Sequence, residues 1–149
     1  MSSILLITQY TILECKQFLI LKKGNGMKFL NKYSNYSYAA FRVVTGFLFL
    51  CHGTQKLFGF PIAFPYSLNT MTTAAGIIEL VAGTLIVIGF YSRYAAFISS
   101  GTMAVGYWMM HGLNHPFPIA NGGEITAFYC FAFLYIAAKG PGIWAINKK

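Results

Sequence analysis

The sequence predicts an all-α fold, an integral membrane four-helix transmembrane bundle with both termini cytoplasmic, and three observations predict it. Hydrophobic residues make up 56% of the 149 positions and charged residues only 9%, against about a quarter in a typical soluble domain; the mean hydropathy is +0.57. The apolar residues gather in four runs of the length that crosses a bilayer core, roughly 20 residues each. Lys22, Lys23, Lys28, Lys32, Arg93, Lys139, Lys148 and Lys149 fall on one side of those runs and Lys56 alone on the other, which the positive-inside rule reads as cytoplasmic and outer sides.

A chain of this size is one domain, and four spans leave little of it for a soluble one. The net charge of +8 raises the question of nucleic acid. The basic residues sit at the ends of apolar runs and form no polar face, so orientation in a membrane accounts for them and no nucleic-acid partner is expected. Cys15, Cys51 and Cys130 show no C-x-x-C spacing and no metal-ligand pattern, so neither a disulfide framework nor a metal site is expected.

Residues 1–26 read as a leader. Ile4 to Leu21 is apolar but broken by Gln9, Glu14, Lys16 and Gln17, with neither a basic n-region nor a small-residue cleavage site. It reads either as an interfacial helix or as sequence upstream of the working start, because Met27-Lys28-Phe29-Leu30 looks like a natural bacterial initiation site. The membrane domain then occupies 27–149.

The first span, about 38–60, stops before Pro61, whose ring and missing N–H break a helix. The second, about 72–90, is rich in Ile, Val and Leu, and Gly76, Gly83 and Gly89 allow a neighbour to approach closely. Arg93 marks a short turn before the third span, about 94–113. A loop with His115, Pro116 and Pro118 leads to the fourth, about 124–138, which Lys139, Gly140 and Pro141 close. Arg42 and Arg93 are expected to snorkel to cytoplasmic headgroups.

Only three carboxylates occur in the chain, and Glu79 and Glu124 lie within or at the mouth of spans. A carboxylate in hydrocarbon is costly unless paired, and so marks a partner or a function. Arg42, Thr45, Phe49, His52 and Lys56 recur at steps of three and four on one face of the first helix. Thr72, Gly76, Glu79 and Gly83 make a small, polar stripe on the second. If the two helices pack antiparallel, the flexible Lys56 stem bends inward to Glu79 and two charges become one neutral pair. His52 stands one turn before Lys56. A pair that only fixes helix register explains these residues as well as a proton or ligand role does. His111 and His115 are four apart without a third ligand, which favours an interfacial role over a metal. Asn121 is placed to cap the fourth helix and Glu124 to meet its positive end, so capping alone explains both as well as function does.

His52-Gly53-x-x-Lys56-Leu57, Glu79 followed by Gly83, Gly89-Phe90-x-x-Arg93-x-Ala95-Ala96, His111, Asn121-Gly122-Gly123-Glu124 and the terminal Gly140-Pro141-Gly142 together resemble the DoxX family of small bacterial membrane proteins, over about Tyr38 to Ala145. The resemblance implies a four-helix bundle in the bacterial inner (plasma) membrane. Named members of that family include the membrane subunit of a thiosulfate:quinone oxidoreductase and a partner in an oxidoreductase complex that handles oxidative stress. His52, Lys56, Glu79 and Glu124 correspond to family motif positions without an assigned catalytic role. The ending Gly142-Ile143-Trp144-Ala145 departs from the family's more usual Ser-Leu-Asp type.

The expectation is a membrane subunit of a quinone-linked oxidoreductase system. His52, Lys56, Glu79, His111, Asn121 and Glu124 line an outer-half polar pocket offered to quinone, with no covalently bound cofactor and a protein partner supplying electrons. The alternatives are a non-catalytic accessory or scaffold subunit, which also admits a homo-oligomer, and a small proton-coupled carrier gated by Glu79. Thiol–disulfide chemistry is disfavoured because Cys51 and Cys130 stand alone on separate helices.

Overall fold

The computed structural model describes residues 28–147; the leader reading falls outside them. The chain divides into two units, Met1–Ser34 and Asn35–Lys149. In the first, the described residues form one helical turn, α1 (Lys28–Asn31), closed by the Tyr33 amide donating to the Leu30 carbonyl at 3.0 Å.

The second unit holds α2 (Ser34–Phe58) from its second residue onward, α3 (Thr70–Ile88), α4 (Ser92–Tyr107), a π-helical turn (Trp108–Gly112), α5 (Pro118–Asn121) and α6 (Glu124–Lys139). The described residues are all-helical, with no strand. Tyr38 and Phe49 of α2, Ala82 and Ile86 of α3, Ala95 and Ala96 of α4, and Tyr129, Phe133 and Ile136 of α6 share one core. Each long helix overlaps one of the expected apolar runs, α4 stopping at Tyr107 where the π-helical turn takes over to Gly112.

The α3 helix starts at a reciprocal capping box. Asn69 Oδ1 accepts from the Thr72 amide at 2.9 Å while Thr72 Oγ1 accepts from the Asn69 amide at 2.8 Å, which satisfies donors the first turn leaves free. It ends where Gly89 turns left-handed at φ 70°. The Gly89 and Phe90 amides donate back to Ile86 and Leu85, an arrangement that closes helix ends on a residue without a Cβ penalty.

Small residues let α2 and α3 touch backbone to backbone. A Cβ on Gly53 would lie 2.5 Å from the Leu80 nitrogen, and one on Gly83 would lie 2.8 Å from the Leu50 nitrogen. Gly46 and Gly76 continue the seam at either end. A hydroxyl ties α4 to α6, with Ser100 Oγ donating to the Cys130 carbonyl at 2.8 Å.

Arg42 corrects the snorkelling expectation. Arg42 is fully buried. Its Nη1 donates to the Ile86 carbonyl and to that of Val87 at 2.8 Å, and its Nη2 to those of Ile143 at 3.3 Å and Trp144 at 2.7 Å. Arg93 does the same for α6, donating to the carbonyls of Ala137 at 3.0 Å, Ala138 at 2.7 Å and Lys139 at 3.3 Å. The final carbonyls of a helix have no partner within it and carry its partial negative charge. A guanidinium there finds acceptors and compensating dipole at once, and this favours capping over headgroup contact. Beyond α6 the tail folds back, with the Ile146 and Asn147 amides donating to the Ile88 and Gly89 carbonyls at 3.1 and 3.2 Å and the Tyr38 hydroxyl donating to the Gly140 carbonyl.

The exterior is apolar as well as the core, and several polar side chains lie inside. Glu79, Thr45, Ser92 and Ser99 join Arg42 in the interior, while Phe47, Phe97, Phe128 and Phe131 face outward. Soluble proteins bury apolar side chains and expose charges; an apolar exterior suits lipid. Among the described helices α3 alone is both long and apolar enough to cross a membrane by length and composition. Arg42, His52 and Lys56 dilute α2, and α4 and α6 are each 16 residues long.

Candidate functional site: a buried ion pair between two helices

Lys56, in the last turn of α2, closes an ion pair with Oε1 of Glu79 in the middle of α3. The depth difference is bridged by the lysine stem, and glycine makes the room: a Cβ on Gly76 would stand 3.1 Å from the Lys56 Cβ. Glu79 is 2% exposed and Lys56 19%, so the carboxylate is inside and the ammonium is at the rim. The Lys56 ammonium lies 6.0 Å from the centroid of Phe64, in the loop between α2 and α3, close enough for a cation–π contact. Oε2 of Glu79 is buried and receives no hydrogen bond from any described residue.

Such a pair is bistable in energy. Intact, the charges cancel; stripped of one partner, the other is left in a medium that cannot solvate it. The unmatched Oε2 adds to this, because a buried acceptor without a donor costs about 1–3 kcal/mol.

His52 lies at the margin of the pair. The buried stripe of α2 runs through Arg42, Thr45, Phe49 and Gly53, so His52, one position off it, is exposed. Its ring stands edge-on to Tyr129 of α6, 6.1 Å between centroids at 89°. Tyr129 in turn stacks on Phe133 at 5.6 Å. The sequence reading passed over Tyr129 and Phe64. The phase of Tyr129 with Phe133 and Ile136 along α6 was the available signal for the first, and nothing local marks the second.

His111 and Asn121 meet elsewhere. His111, on the π-helical turn, places Nδ1 3.0 Å from the Asn121 carbonyl. Asn121 Nδ2 donates to the Tyr107 hydroxyl at 3.0 Å and the His115 carbonyl at 2.7 Å, and its Oδ1 accepts from the Gly123 amide at 2.8 Å. Asn121 therefore organises the loop and does not cap α6, whose N-cap is Gly123 without a side-chain bond. The reason is geometric: the α5 turn ends at Asn121 and Gly122 adopts φ 70°, which sets Asn121 before the cap position. His115 bonds away from His111, its Nδ1 accepting from the Phe117 amide at 3.2 Å. Glu124 is exposed in the first turn of α6, and no hydrogen bond, ion pair or ring contact among the described residues joins it to Lys56 and Glu79. No group of three or more His, Cys, Asp or Glu among the described residues is arranged to hold a metal ion.

Among the described residues these features define a small all-α protein with an apolar exterior and one charged pair in its interior. The profile of the DoxX family matches residues 38–112. An uncharacterized protein of Haemophilus influenzae is 39% identical over 130 residues, covering 83% of this chain and 97% of its own length. The chain belongs to the DoxX family. No solved structure matches it.

Proposed function

We propose that this chain is a multi-pass protein of the bacterial inner membrane, a four-helix transmembrane bundle with both termini cytoplasmic, whose outer-half polar site serves a quinone-linked redox partner. The observation that carries the reading is the Lys56–Glu79 pair, whose second carboxylate oxygen is buried without a donor among the described residues. A charged pair in hydrocarbon is expensive to keep, and one left incompletely bonded is more so. Lys56 is the group to donate a hydrogen bond to a quinone oxygen, since an ammonium has three donors and Glu79 takes one. His52, exposed one turn away, is a second titratable group beside the rim. His111, Asn121 and Glu124 contribute at the outer loop, where Asn121 holds His111 in place. The protein partner supplies electrons, and the quinone is bound reversibly.

The test is partner-dependent quinone reduction in membranes with His52→Ala and Glu79→Gln, each confirmed folded by its unfolding transition. Both are expected to abolish reduction. Wild-type rates in both would replace this reading with a second, that of a non-catalytic accessory subunit. The interlocked α2–α3 seam favours that second reading, because a pair crossing it also fixes helix register.

A further inference from the structure

We propose that the groove between α3 and α4 holds an acyl chain of an anionic phospholipid, whose headgroup lies over the turn joining the two helices. The proposal uses the placement of the chain in a bilayer and goes beyond the quinone reading, since Lys56 and Glu79 take no part in it. The groove has a volume of about 310 Å³ and is lined by Ile77, Val81 and Leu85 of α3 and Ile98 of α4, with Tyr91 and Tyr94 at the end where the chain turns. From Ile77 to Leu85 it follows about two turns of helix, roughly 12 Å. Val81 and Ile98 are each about half exposed, so the groove is open along its length to the surrounding lipid. A hydrocarbon tail suits an all-apolar lining of this shape, where it gains packing contacts on two sides.

The turn end selects the headgroup. Tyr91 and Tyr94 are exposed, with ring centroids 6.3 Å apart, and neither hydroxyl bonds to a described residue. Such amphipathic rings belong at the level of lipid headgroups. There α4 begins with no side-chain cap and no acid in its first turn, and Ser92 Oγ, in a residue 2% exposed, has no partner among the described residues. That end is short of acceptors and carries the positive pole of the helix. Arg93 adds a full charge, staying exposed while its Nη groups reach the end of α6, where exposed Lys139 supplies another. No described carboxylate balances them, because Glu79 is buried in mid-α3 and Glu124 stands at the far end of α6. A phosphate brings both acceptors and negative charge. An anionic headgroup keeps that charge, whereas a zwitterionic one sets its own ammonium beside the two cations.

The experiment is native mass spectrometry of the full chain, delipidated in mild detergent and titrated with dioleoyl phosphatidylglycerol or dioleoyl phosphatidylethanolamine, which share their tails. The wild type is expected to bind phosphatidylglycerol at least about fivefold more tightly, and the preference should shrink as ammonium acetate is raised, because salt screens exposed charges. Val81→Trp fills the groove from its exposed wall and should weaken phosphatidylglycerol binding by at least about fivefold with the unfolding midpoint unchanged; Ile98→Trp, from the opposite wall, serves if that variant does not fold. Tyr91→Phe with Tyr94→Phe keeps the rings and should narrow the preference. Equal affinity for the two lipids overturns the headgroup assignment, and wild-type binding in the folded tryptophan variant overturns the groove. A lipid-free dimer that Val81→Trp dissociates gives the groove to a second copy of the chain and overturns the proposal. None of these results bears on quinone reduction, and loss of the quinone reading leaves them unchanged.

Discussion

Gly53 of α2 lies so close against Leu80 of α3 that a single added carbon would come within 2.5 Å of the Leu80 backbone nitrogen. That proximity places the next turn of α2, with Lys56, directly over Glu79. Gly53→Ala has no flexible neighbour to displace and must push the helices apart. A loss of about 1–3 kcal/mol is expected, in the range of overpacked cores, read as a lowered unfolding midpoint in detergent. An unchanged midpoint would show that the seam is looser than described.

Charge removal at the pair should be strongly non-additive. Glu79→Ala strands a half-buried ammonium and is expected to cost about 3–5 kcal/mol, whereas Lys56→Met combined with Glu79→Ala should cost much less. A double-mutant cycle on thermal unfolding measures the coupling; additive losses would mean that the two side chains act independently.

Arg42→Met should release the tail and unsatisfy the end of α3 together. The expected cost is on the order of 3 kcal/mol, given bonds to a charged donor worth about 1.5–3 kcal/mol each and not additive. Chymotrypsin should then cut after Trp144 in the folded protein. Arg42→Lys should rescue only part of this, since an ammonium lacks the planar fork that reaches four carbonyls. Equal protease resistance in all three proteins would count against the clamp.

Reporter fusions after Asn69 and His115 are expected to report the outer side, and fusions after Ser92 and Lys149 the cytoplasm, from the Lys and Arg asymmetry. A reporter at Asn69 that stays cytoplasmic would sink the four-span arrangement.

The long helices were legible from composition and from Pro61, which acts within a turn of the end it makes; the Asn69–Thr72 box and the left-handed Gly89 are equally local signals that the expected bounds of 72–90 did not use. The meeting of Lys56 with Glu79 was legible too, from the phase of Gly76, Glu79 and Gly83 on one face. Arg42 was not. Its nearest neighbours in sequence say only that a cation lies near a helix start, and the carbonyls that hold it come from positions 86, 87, 143 and 144. Asn121 failed for a similar reason, because Tyr107 and His115 reach it only once the loop between the π-helical turn and α6 has folded. The π-helical turn at Trp108–Gly112 has no pattern of its own in an apolar run.

The clamp on Arg42 also has a bearing on biosynthesis. Arg42 and Trp144 are 102 positions apart, and no carboxylate among the described residues neutralises the guanidinium in the meantime. While the ribosome is still making the later helices, α2 holds a cation whose Nη1 finds acceptors on Ile86 and Val87 of α3 but whose Nη2 acceptors, Ile143 and Trp144, follow only after α6. The surroundings of Arg42 are therefore completed only once the segment after α6 has been made, and a message truncated after α6 yields a product with all its long helices and two fewer acceptors for the guanidinium.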